Sequence, residues 1–167
     1  MRAATTVLVI TLVVGLASIS LAAGGTDAAN ANLEARVNAF VDEWHLDAAH
    51  ARPAYFDKIA PDGIYIGTDR TERWTHEAFK AWAARAFARP SAWTLTPRER
   101  HVSCSADGTI IWFDEQLDSD MGLLQASGVM RATGGRLEIV HYQLSLAVPN
   151  EVQPRVSEII AGFEGKK

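Results

Sequence analysis

Three side chains give this sequence its capacity for proton transfer: Asp114, Glu115 and His141. The two acids stand in the run IIWFDEQLD, Ile110 to Asp118, directly after four apolar residues that read as a buried strand. Successive strand side chains point to opposite faces, so only one of the two acids can face an enclosed site. Ile111, Phe113, Glu115 and Leu117 share one face, and Ile110, Trp112, Asp114 and Gln116 share the other. Glu115, between two large apolar residues, is the acid expected inside, where desolvation raises a carboxyl pKa and fits it for general acid–base work. Asp114 is the alternative. His141 lies in the run RLEIVHYQLSLAV, where alternation groups Leu137, Ile139, His141, Gln143 and Ser145 as a graded pocket wall. It is the expected partner of Glu115 across the sheet. The competing reading is architectural: a buried Glu115 that ties down neighbouring backbone or Arg100.

His45, beside Trp44, is placed to reach a pocket mouth, and with Tyr65, Trp74, Trp112 and Gln143 it forms the expected ligand-contacting set. Five tryptophans make an aromatic interior plausible, although Trp at such positions more often packs a core than cages a ligand. His45 and His50 have no third ligand at metal spacing, so no metal is expected. The chain has no Gly-rich phosphate loop and no nucleophilic Ser elbow, and no cofactor is expected. Sixteen Lys and Arg against twenty Asp and Glu give a net charge of −4 without a basic cluster, which sets nucleic-acid binding aside. Cys104 is the only cysteine, so no internal disulfide can form.

These residues need elements to hold them. Leu33, Val37, Phe40, Val41, Trp44, Ala48 and Ala51 recur at helical spacing and predict a long amphipathic helix. A short second helical segment, AYFDKIAPDG, is expected to stop before Pro61. GIYIGTD reads as a brief strand and turn, and Thr75 can cap a third helix with Phe79, Trp82, Ala83, Ala86 and Phe87 on its apolar side. From Trp93 the period changes to alternation through four strand-like runs separated by ADG, SDMG and TGG. Helices followed by an antiparallel meander predict an α+β fold in which a curved sheet, closed by the first helix, encloses an apolar pocket.

The first 22 residues carry a positive start, an apolar middle and small residues before Ala23, the pattern of a cleaved signal peptide. A flexible lead-in is expected at 23–32, a single domain at 33–160 and a tail at 161–167. Cleavage implies a periplasmic or secreted protein without stable membrane insertion; the alternative is an uncleaved membrane anchor, since the apolar stretch is nearly long enough to span a bilayer. The face Val140, Tyr142, Leu144 and Leu146 is wholly apolar and predicts a homodimer through the sheet.

Taken together, WH at 44–45, YF at 55–56, IGTDRTERW at 66–74, FKAW at 79–82, WFDEQL at 112–117, SGV at 127–129 and HYQLSLAVPN at 141–150 resemble the SnoaL-like branch of the nuclear transport factor 2-like (NTF2-like) superfamily. The resemblance spans nearly all of the chain after the leader. It implies a cone-shaped roll, with a long helix and two shorter ones packed on a strongly curved antiparallel or mixed sheet, commonly paired as a homodimer. It does not imply one function, because the superfamily holds isomerases, dehydratases and cyclases alongside non-catalytic modules. Where relatives often carry Arg-Gly before SGV, this chain has Gln125 and Ala126, so an anion-binding Arg is not implied there. The function expected is binding of a small apolar molecule, either for isomerase, dehydratase or hydrolase chemistry or for carriage. The alternative is a non-catalytic periplasmic interaction or assembly module.

Overall fold

The computed structural model describes residues 20–165, with side chains from residue 31 onward. Of the leader expected at 1–22, all but the last three residues lie outside the described residues. The chain divides into two compact units, 1–32 and 33–167. The first helix, α1 (Ser20–Ala49), starts well before its apolar stripe. Residues 23–32, expected as a lead-in, fall within this helix, consistent with Ala28, Ala29 and Ala31 as strong helix formers.

In the second unit, Val37, Val41, Trp44 and Ala48 of α1 are fully buried, at the three- and four-residue steps that keep one helical face inward. The helix ends at a turn in which Arg52 N–H bonds to Asp47 O (2.7 Å). The Asp47 carboxylate, itself buried, receives both Arg52 and Lys58 and so ties the helix end to the strand that follows. Helix α2 is a single turn, Ala54–Asp57, and the chain passes at once into β1, Ile59–Ile66. The helical reading up to Pro61 fails here because Ile59 is already paired with Ile139. Pro61 is tolerated because pairing lapses between Ile59 and Ile64, so its missing N–H costs no ladder bond. Strand β2 (Arg73–Thr75) pairs antiparallel with β1, and Thr75 Oγ1 accepts from Ala78 N–H to cap α3 (His76–Phe87), as its sequence position suggests.

The meander follows as β3 (Thr96–Cys104), β4 (Ile110–Ser119), β5 (Gly122–Thr133) and β6 (Arg136–Leu146), before a terminal helix α4 (Gln153–Glu164). One six-stranded sheet results, in the order β2-β1-β6-β5-β4-β3, antiparallel throughout except for the parallel β1–β6 pair. Its inner face packs on α1, α2 and α3, with α3 lying against β1 and β2. Ile111, Phe113, Glu115 and Leu117 of β4 point inward, and so do Leu124, Ala126, Gly128 and Met130 of β5.

Strand β6 departs from simple alternation. Met130 pairs with Ile139 and Val129 with His141, so Val140 is an extra residue, a β-bulge. The bulge reverses the strand's phase: Leu137 and Ile139 face the core before it, and Tyr142 and Leu144 after it. Two sequence expectations are corrected together. His141 and Gln143 lie on the outer face and do not line a pocket wall. Tyr142 and Leu144 are core residues and cannot form a dimer face.

The Ser-Gly-Val segment has a packing role. Gly128 pairs with Phe113, and a Cβ placed on it would come within 2.5 Å of two Phe113 ring atoms. Gly128→Val is therefore expected to cost about 1–3 kcal/mol through overpacking. Urea unfolding measures this, and an unchanged midpoint would mean that the ring moves aside freely.

A buried carboxylate network and an aromatic pocket

Glu115 ends up at the centre of the inner face, with its side chain wholly removed from solvent. Strand β4 carries it inward, α1 supplies His45 from above, and the adjoining strand β3 supplies Arg100, directly paired with it. Oε1 accepts from His45 Nε2 (2.9 Å) and from the Tyr142 hydroxyl (3.0 Å). Oε2 accepts from Arg100 Nε (2.9 Å), with Nη2 also 2.8 Å away. Arg100 Nη1 then reaches Asp42 Oδ1 (2.8 Å) and the Asn38 carbonyl (3.3 Å), carrying the network from the core to the surface of α1. On its other side Glu115 faces Ala126, whose small side chain adds no competing donor.

Burial alone would raise the Glu115 pKa, but hydrogen bonding and charge from His45 and Arg100 outweigh it and hold the carboxyl below its ordinary value. Glu115 is thus a fixed anion. Tyr142 shifts upward, first by burial and then by the neighbouring Glu115 charge. Tyr55 and Tyr65 also shift upward, chiefly by burial. All three phenols therefore stay neutral, and Tyr142 serves as a hydrogen-bond donor. With His45 Nε2 donating to the carboxylate, Nδ1 remains buried without a hydrogen-bonding partner among the described residues.

Beside this network opens a pocket of about 250 Å³. Its aromatic wall comes from Tyr65 on β1, Trp74 on β2, Phe79 and Trp82 on α3, and Trp93 in the segment leading to β3. Tyr65 stacks on Phe79 at 3.9 Å between ring centroids, and Trp74 lies 4.6 Å from Trp82. Tyr65 is the link inward: its ring lies 5.5 Å from that of Tyr142, which bonds to Glu115. The pocket and the carboxylate are thus adjacent, separated by an aromatic floor.

Among the expected site residues, the structure brings Tyr65 and Trp74 together in the pocket and joins His45 to Glu115 behind it. His45 also borders a separate cleft of about 260 Å³ with Leu46, Ala49 and Leu95. Four residues go elsewhere. Trp112 is 47% exposed, Asp114 and Gln143 are exposed, and His141 is half-buried, all on the outer sheet face. The partner expected of Glu115 is therefore replaced: His45 takes the place of His141. Sequence reasoning missed Tyr142 and, as pocket residues, Trp82, Trp93 and the acids Glu72 and Asp120. The available signal was the concentration of aromatic residues between Tyr65 and Trp93. The described residues contain no group of three or more His, Cys, Asp or Glu side chains that could hold a metal.

A curled mixed sheet wrapped on a long helix, with a pocket at its open end, defines an NTF2-like α+β fold. The family model for the SnoaL-like domain matches residues 37–149, and the chain belongs to that family. Solved structures agree on the fold. An NTF2-like protein of unknown function from Pseudomonas putida has a TM-score of 0.59 at 13% identity, over 74% of this chain and 92% of that one. A ketosteroid isomerase candidate from Parabacteroides distasonis scores 0.56 at 16% identity, over 68% and 86% of the two chains. The yeast UBP3-associated protein BRE5 scores 0.55 at 10% identity, over 68% and 95%. No curated protein matches the chain.

Proposed function

We propose that this SnoaL-like protein binds a small, largely apolar molecule in the aromatic pocket, and that the Glu115 network is the scaffold that fixes the pocket floor. The observation carrying this reading is the 250 Å³ cavity walled by Tyr65, Trp74, Phe79, Trp82 and Trp93. Glu115 is a poor proton donor in this setting, because both its oxygens are engaged and its pKa is lowered. Acid–base chemistry on a bound molecule, of the isomerase, dehydratase or hydrolase type, would instead fall to the pocket's own carboxylates, Glu72 and Asp120. The ketosteroid isomerase candidate from Parabacteroides distasonis is compatible with such a role through fold alone.

Export is proposed on the N-terminal sequence pattern, with the mature chain starting near Ala23. Pairing as a homodimer is proposed through the outer sheet face, where Ile110 and Trp112 are 42% and 47% exposed. A second reading, a non-catalytic interaction module, is favoured by one observation: Ile159 and Ile160 of α4 stand 63% and 52% exposed.

Native mass spectrometry of the protein purified from its own cells tests these readings together. The expected spectrum is a dimer of chains beginning near Ala23 with a reproducible bound mass, lost on Trp82→Ala. A full-length chain sinks export, a monomer sinks pairing, and a spectrum without bound mass favours the interaction module.

A further inference from the structure

The charge of the pocket lining is one-sided. Among the described residues Glu72 and Asp120 are the only charged side chains lining it, while Arg85 and Arg89 line a separate cleft on which Trp82 also borders. The rest of the wall is mainly aromatic, with the Trp74 and Trp82 rings tilted at 34° to each other. Aromatic faces carry negative electrostatic potential and attract cations most strongly where water is displaced. Acids at the edge add a long-range attraction of the same sign. A neutral apolar ligand would gain from the rings but would make no use of the two carboxylates at the edge. An anion would be repelled by both features. Glu72 is held in place, since its Oε2 accepts from Asp69 N–H (3.2 Å). Asp120 sits on the exposed turn between β4 and β5.

From this combination of aromatic wall and purely acidic edge, we infer that the pocket's ligand is an organic cation, an ammonium group carried on an apolar body. The inference rests on the small-molecule reading and narrows it to a substrate class. Trp82 and Trp74 would face the cationic head, while Glu72 and Asp120 would offset its charge.

The probes are choline chloride and its uncharged carbon isostere, 3,3-dimethylbutan-1-ol, titrated into the whole protein with sodium chloride matched throughout. Tryptophan fluorescence reports binding, since Trp74, Trp82 and Trp93 line the cavity. The expected result is choline binding at least tenfold tighter than the alcohol. The pair Glu72→Gln with Asp120→Asn should weaken choline several-fold and leave the alcohol unchanged. Asp120→Asn alone, on an exposed turn, keeps this arm available should the pair fold poorly. Equal affinity for both probes, or a choline affinity unmoved by the acid replacements, overturns the cation proposal while leaving the pocket as a site for neutral molecules. If neither probe binds, the cation proposal falls. If the native spectrum also lacks a bound mass, the small-molecule reading falls with it.

Discussion

Glu115→Gln is expected to destabilise the fold by about 3–5 kcal/mol, the range seen when one member of a buried ion pair is removed and its partners are left uncompensated. The amide keeps one acceptor for His45 and Tyr142 but turns an N–H₂ group toward the Arg100 guanidinium, which then has no buried counter-charge. Urea unfolding at neutral pH measures the loss, and a loss below about 1 kcal/mol would show that Asp42, the other carboxylate on Arg100, or water offsets its charge. The pH dependence has a fixed sign. The folded carboxyl titrates below its ordinary value of 4.5, so its contribution is complete above that pH and is lost as pH falls through the folded value. The gap in stability between wild type and Glu115→Gln should therefore narrow on acidification below about pH 4.5. A gap that stays constant would mean the charge itself contributes nothing.

Trp44→Ala should be comparably severe, at about 3–5 kcal/mol for loss of a buried Trp. The indole is fully buried, stacks on Tyr55 at 4.9 Å and meets Tyr142 edge-on at 4.7 Å. Its Nε1 also donates to the Tyr55 carbonyl (3.1 Å), so truncation leaves that buried acceptor without its partner. Because Tyr142 touches both Trp44 and Glu115, the two substitutions share a neighbour and should not be additive. The double variant in a cycle of unfolding measurements reads this directly; strict additivity would mean that packing and network are independent.

What the sequence disclosed depends on which strands run without interruption. Strand β4 pairs residue for residue with β5 from Ile110 to Ser119, and there simple alternation assigned Glu115 inward and Asp114 outward correctly. Strand β6 contains Val140, and one extra residue was enough to send every later side chain to the opposite face from the one alternation gave. No composition signal marks that bulge, since Val140 is an ordinary strand former. The architectural reading of Glu115 named Arg100 from sequence, and Arg100 does hold it. His45 was legible as a candidate from its place beside the α1 stripe, but its pairing with Glu115 spans 70 residues and depends on how α1 crosses the sheet, which no local pattern encodes. The pocket was half legible for a similar reason. Tyr65 and Trp74 belong to one hairpin, whereas Trp82 and Trp93 reach the same space from a helix and a connecting segment.

The strand order bears on how the chain reaches its native state. Strand β6 is the last strand made, yet it sits in the interior of the sheet, parallel to β1 on one side and antiparallel to β5 on the other. Until residues 136–146 dock, β1 and β2 form an isolated hairpin and β3 to β5 form a separate sheet with an open edge. Closing the β1–β6 pair joins Ile64 to His141, 77 residues further along the chain, so much loop entropy is lost before that contact is gained. Docking of β6 against β1 is therefore expected to be a slow step of folding. It is also the moment at which the exposed edges of β1 and β5, free until then to recruit a neighbouring chain, disappear from the surface.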